Sequence, residues 1–210
     1  MRSYPYMLLS MDSIYSYSYG HDDVYCYKDS DVLKNKFNIT DPRELQEFER
    51  NITSVKALSI LESNYNNPDF SLLKKIHKEL FCDIYVWAGK TRTVDISKGT
   101  LFCRTFAIND EAERIFNELK KENYLRNCLP NELYKRMSYY MTEINALHPF
   151  REGNGRAQRL FMAILAKHLG YVLDFSLISE AEMIEASYRS FSGDYKMMDD
   201  IFLKALKKRQ

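Results

Sequence analysis

The run Leu147-His148-Pro149-Phe150-Arg151-Glu152-Gly153-Asn154-Gly155-Arg156-Ala157-Gln158-Arg159 concentrates most of the chemistry this sequence can offer. His148 is the one residue in it able to accept a proton near neutral pH. Glu152 is a hard oxygen ligand of the kind Mg²⁺ takes when it also keeps water and bridges phosphates. Gly153 and Gly155 bracket Asn154 and allow backbone to approach an anion closely. Arg156 and Arg159, one turn apart, carry fixed positive charge that matches phosphate oxygens. Leu160, Phe161, Ile164, Leu165 and Leu169 follow at helical spacing, so a helix starts near Asn154 with a buried apolar stripe. The N–H groups at its amino end have no intrahelical partners and carry partial positive charge. A general base, a magnesium ligand and a helix amino terminus in one place describe a phosphate site able to do proton-coupled chemistry.

Read as a whole, the string resembles the signature of the Fic family, His-Pro-Phe-x-Asp/Glu-Gly-Asn-Gly-Arg-x-x-Arg, and agrees with it at every position. The resemblance implies ATP as substrate and transfer of its AMP part to a side-chain hydroxyl (Tyr, Thr or Ser) of another protein. On that reading His148 is the base and Glu152 holds Mg²⁺. The backbone of Gly153, Asn154 and Gly155, with the Asn154 amide, relieves charge on the α-phosphate. Arg156 and Arg159 grip the β- and γ-phosphates.

Other readings of the same residues stay open. His148 and Glu152 could be a metal pair at helical spacing, although no second histidine or third ligand follows. A regulatory module that binds phosphate without catalysis would need neither residue. Within the family, members that transfer phosphocholine exist, and a kinase subgroup replaces the second glycine with a larger residue. Gly155 is present, which favours AMP transfer. Many relatives also resemble one another in a Ser/Thr-x-x-x-Glu-Gly/Asn motif whose glutamate pairs with the second arginine. No segment here fits it, so the expectation is a separate antitoxin that supplies an inhibitory glutamate to Arg159. Similarity runs over roughly residues 28–205 and is nearest to bacterial Fic toxins of toxin–antitoxin systems and Fic domains of type IV-secreted effectors. It is carried by Leu33-Lys34-Asn35-Lys36, the Trp87 segment, the flap with Phe102-Cys103, and Ser176-Leu177-Ile178. It implies DNA gyrase or topoisomerase IV subunits as the target.

The elements that must position the site are mostly helical. Asp41 caps a helix with Pro42 in its first turn and Glu44 closing a capping box, carrying Leu45, Phe48, Ile52 and Val55 on one face to about Glu62. A second helix carries Leu72, Leu73, Ile76 and Leu80, with His77 read as a packed core histidine. A short helical segment over Tyr85-Val86-Trp87-Ala88 stops at Gly89 in the left-handed region. Arg92 to Ile96 alternates as a strand, Lys98-Gly99 supplies a turn, and Leu101 to Phe106 returns. A lone hairpin is marginal, so it must lean on the helices and leave an outer edge free. That edge, at Lys98, Gly99, Thr100, Leu101 and Phe102, is either a structural flap or a docking strip for target backbone by strand addition. Resemblance to the family's flap region implies the second.

Further helices are expected near Asn109 (Ile115, Phe116, Leu119), near Asn131 (Leu133, Met137, Met141, Ile144), and from a capping box at Ser179-Glu180-Ala181-Glu182. A last one follows Asp194, with Met198, Ile201, Phe202 and Leu206 inward and Lys207, Lys208 and Arg209 at its end. The fold class is therefore mostly α, a Fic-type helical bundle with one β-hairpin flap beside the site. Residues 1–27 read as a Tyr-rich, partly ordered extension whose hydroxyls could be self-modified, and 28–210 as the Fic domain.

The totals agree with this and exclude several classes. A chain of 210 residues, 45% hydrophobic and 28% charged, makes one globular domain. Its net charge of +1 argues against direct nucleic-acid binding. No apolar run suits a membrane and no secretory signal is evident. Cys26, Cys82, Cys103 and Cys128 show no metal spacing and fit reduced thiols in the cytoplasm.

Overall fold

The computed structural model describes residues 22–98 and 100–209. Seven α-helices are found among them: α1 (Pro42–Glu62), α2 (Phe70–Phe81), α3 (Ile108–Lys121), α4 (Leu133–Leu147), α5 (Asn154–His168), α6 (Glu180–Phe191) and α7 (Lys196–Ala205). Side-chain caps account for three of the seven starts. Asp41 accepts from the N–H groups of Arg43 and Glu44, Asp69 from that of Leu72, and Ser179 forms a reciprocal capping box with Glu182. No helix among the described residues is long and apolar enough to cross a membrane.

α5 is the centre of the molecule. Sequence spacing predicts one apolar stripe, but the helix is buried nearly all round from Asn154 to Ala166, with Gly155 half-exposed. Helices α1, α2 and α4 pack against it, as does strand β3 (Tyr171–Leu173). Full burial of side chains such as Leu160, Phe161 and Leu165 stabilises the fold by roughly 1.5–3 kcal/mol each. The helix stops at Leu169, and Gly170 takes a φ of +79°.

Four local readings need correction. First, α1 turns a different face inward: Leu45, Glu49, Thr53, Ala57 and Ile60 are buried, whereas Val55 is exposed. Second, Tyr85–Gly89 forms turns rather than helix, although Gly89 does take the left-handed φ of +77°. Third, the hairpin is shorter and shifted: β1 (Ser97–Lys98) pairs antiparallel with β2 (Thr100–Leu101), and residues 92–96 are irregular. The Arg92 N–H leaves the ladder to donate to Pro149 O at 2.9 Å, and Asp95 caps Thr105 N at 2.8 Å. Fourth, Lys207 and Lys208 do not end a helix. They belong to β4 (Leu206–Lys208), which pairs with β3, and the Lys207 ammonium lies 2.9 Å from Asp174.

The boundary expected at residue 28 also moves. Tyr25 and Cys26 are in the core, the Tyr25 hydroxyl accepts from Thr93 N at 3.1 Å, and Asp22 pairs with Arg151 at 2.7 Å. The packed domain therefore includes residues 22–27. Tyr4, Tyr6, Tyr15, Tyr17 and Tyr19, with the self-modification idea, lie outside the described residues.

Candidate active site

His148 stands where α4 ends, as its C-cap, with φ +43° and ψ +60°. A left-handed residue there reverses the chain and turns it toward α5. Its Nδ1 lies 3.1 Å from the carbonyl of Asn145. A carbonyl only accepts, so Nδ1 carries the proton and Nε2 keeps the lone pair of the neutral ring. Phe102 stacks on the imidazole with centroids 3.7 Å apart, and His148 is 5% exposed.

The loop from Pro149 to Gly153 is held from three sides. Arg92, buried and expected only as the start of a strand, donates from Nε to His148 O at 2.8 Å and from NH1 to Val94 O at 2.9 Å. Its NH2 also bonds Cys103 O, so one guanidinium joins the flap to the turn at His148. Arg151, also buried, pairs with Asp22 and donates toward Cys26 Sγ at 3.4 Å. His77, the packed core histidine, is completely buried and stacks on Phe150 at 3.8 Å. Gly89 N–H donates to its Nδ1 and its Nε2 meets Glu152 O, both at 2.9 Å, so Nε2 carries the proton. Burial lowers its pKa to about 3, against the bond to the Glu152 carbonyl, which raises it.

Gly153 opens α5 at φ +76°, and a Cβ there would stand 2.3 Å from the Phe81 ring. The residue must be glycine for both reasons. Ala157 N–H makes the first α5 bond, to Gly153 O at 3.1 Å. The N–H groups of Asn154 and Gly155 precede it and find no acceptor among the described residues. Amides in this position at a helix start are the ones for which the spacing predicts an anion.

The side chains divide differently from expectation. Both polar ends of the Asn154 amide are committed to Phe150, accepting from its N–H at 2.9 Å and donating to its carbonyl at 2.7 Å. The amide is thus a brace across the loop. Arg156 is buried over the Phe81 ring at 4.7 Å and pairs with Glu49 of α1 at 2.7 Å. Arg159 is 3% exposed within α5. Glu152 keeps a 22% exposed side chain, with Oε1 accepting from Gly153 N at 2.9 Å. Burial pushes its carboxyl up, opposed by the positive charge of Lys98 on the flap and of Arg156. Leu101 is exposed at the hairpin end, and the Phe102 ring lies on the His148 imidazole.

Glu49, Arg92 and His77 were the members of this site that pattern reading missed or left without a role. Glu49 had a signal: it sits one turn after Leu45, a charge on what becomes the buried face.

Residues 67–166 match the Fic/DOC family model. A probable protein adenylyltransferase of Sinorhizobium fredii is 40% identical over 82% of this chain and 90% of its own length. The protein adenylyltransferase VbhT of Bartonella schoenbuchensis is 38% identical over 89% of this chain, which spans 40% of that protein. Among solved structures, BepC of Bartonella tribocorum with bound AMPPNP is similar at a TM-score of 0.83 and 28% identity, covering 89% of this chain and 97% of that one. The chain belongs to the Fic/DOC family.

Proposed function

We propose that this chain is a protein adenylyltransferase that moves AMP from ATP to a Tyr, Thr or Ser hydroxyl of a target protein. The carrying observation is the arrangement of the signature loop: His148, its Nδ1 3.1 Å from the Asn145 carbonyl, ends α4, and after a five-residue loop the amides of Asn154 and Gly155 open α5. Relatives named protein adenylyltransferase, and a similar structure holding AMPPNP, support the same reading.

In this reading the triphosphate lies over the amino end of α5. The acceptor hydroxyl gives its proton to Nε2 of His148 as its oxygen attacks the α-phosphorus. The bond from that phosphorus to the bridging oxygen breaks, and pyrophosphate leaves. The Asn154 and Gly155 amides meet the charge that builds on the non-bridging oxygens. Phe102 and the Asn145 carbonyl hold the imidazole in one orientation, which keeps the reacting atoms aligned.

No group of three or more His, Cys, Asp or Glu residues among the described residues could cage a metal. One carboxylate at a phosphate site is nevertheless the donor set Mg²⁺ accepts. Glu152 would hold it, and it would neutralise charge on the departing pyrophosphate.

The proposal extends to partners. A target segment docks along the hairpin from Lys98 to Phe102, where the two-stranded sheet has no third strand among the described residues. DNA gyrase and topoisomerase IV subunits are the proposed targets. A separate antitoxin would supply a glutamate to Arg159, since unrestrained transfer would harm the host.

The test is incubation of the protein in a cell lysate with ATP labelled at either the α- or the γ-phosphate. Label entering protein from the α position alone is expected. Label from γ would make the chain a kinase, and none from either would leave a binding module.

A further inference from the structure

Helix α1 contributes one charged residue to the site, Glu49, and no step above uses it. Its Oε2 lies 2.7 Å from NH2 of Arg156, while the same nitrogen is 3.9 Å from Oε1 of Glu152. One guanidinium nitrogen thus stands between two carboxylates and is bonded to Glu49 rather than to Glu152. The buried Tyr85 hydroxyl donates to Oε1 of Glu49, so that carboxylate is fixed at both oxygens. The Phe81 ring underlies the guanidinium at 4.7 Å and occupies the space a side chain at 153 would need.

We propose that Glu49 is a positioning residue that withholds Arg156 from Glu152 and so leaves the Glu152 carboxylate to a divalent cation. The inference rests on Glu152 serving that cation, as proposed above. Without the charge at 49, the nitrogen needs to move only about 1 Å to make a direct charge-assisted bond to Glu152. An arginine on that carboxylate competes with the metal for the same oxygens. Loss of the Glu49 charge also removes a negative potential that attracts the cation, so both effects have the same sign. Arginine suits the post because its planar head can hold Glu49 and lie on Phe81 at once.

The test is a cycle of binding measurements rather than of turnover. Calorimetry gives the affinity of wild type and Glu49→Gln for AMPPNP, with Mg²⁺ and in its absence. The ratio of the two affinities is the gain due to metal. Glu49→Gln should cut that gain 5- to 20-fold, with metal-free affinity within about twofold of wild type. Tyr85→Phe, which loosens Glu49 without removing its charge, should cut it less, in the same direction, and serves if the first variant does not fold. An unchanged gain in the variants, or equal loss of both affinities, would overturn the proposal. Glu152→Gln separates the layers. If that variant keeps the full gain, the metal assignment falls and the inference with it. If it loses the gain while Glu49→Gln does not, the inference alone falls.

Discussion

The ring of Phe102 lies flat on the imidazole of His148, with planes 16° apart, and its own N–H bonds Ile96 O at 3.2 Å beside the hairpin. The flap and the base are therefore one mechanical unit. Phe102→Ala should free the imidazole to leave its orientation while His148 remains. An aromatic pair contributes about 0.5–1.5 kcal/mol beyond burial, so kcat should fall roughly 2- to 13-fold. Steady-state kinetics check this, and KM for ATP should hardly change. A variant with wild-type kcat would show that the stacking has no part in catalysis.

At Gly153 a methyl group cannot be added without displacing Phe81, and the φ of +76° disfavours any other residue. Gly153→Ala should destabilise the fold by about 1–3 kcal/mol and lower ATP affinity, because the α5 amino end must shift. Adding Phe81→Leu should recover part of the stability by making room. Denaturant unfolding of the single and double variants measures both; additive losses would contradict the clash.

Arg151, at the variable position of the signature, is paired with Asp22 at 2.7 Å with both side chains almost wholly buried. Removing one partner leaves a charge without compensation. Arg151→Met should cost about 3–5 kcal/mol, and Arg151→Met with Asp22→Asn should cost clearly less. A double variant as unstable as the single would show that the charge pair is not the source.

His77 makes stability depend on pH. Its folded pKa, about 3, lies below the ordinary value of 6.5 because burial opposes its charge. Below 6.5 the unfolded chain binds a proton the folded chain refuses. Its contribution is therefore complete above 6.5 and declines as pH falls toward the folded value, by up to about 1.4 kcal/mol per pH unit. Urea unfolding between pH 7 and 4.5 should show that slope, shallower by about one proton in His77→Gln. Equal slopes in the two proteins would contradict the assignment.

The signature and the helices around it were legible because their signals are local. Asp41, Asp69 and Ser179 mark helix starts, and the glycines mark the opening of α5 at Asn154. What was not legible depends on distant partners. Nothing near Glu49 announces Arg156, which is brought to it only when α1 packs on α5. Arg92 reads as the first residue of a strand, yet its N–H and its side chain meet Pro149, His148 and Cys103 from across the chain. The same cause shortened the predicted hairpin, since the groups that would form its ladder are engaged elsewhere. The two bonds of the Asn154 side-chain amide were not legible for a related reason: the donor and acceptor it meets belong to Phe150, across the loop. β4 was missed because three residues after a helix carry no turn signal, and their partner strand lies beyond α5.

The central claim is that His148 takes the acceptor proton above a nucleotide seated on the amino end of α5. Its most direct test is transfer of label from α-phosphate-labelled ATP by wild type and His148→Ala, alongside AMPPNP binding to both. Label transfer should fall at least 100-fold in the variant, while AMPPNP affinity and thermal unfolding stay within a small margin of wild type. Transfer by His148→Ala at the wild-type rate would contradict the account.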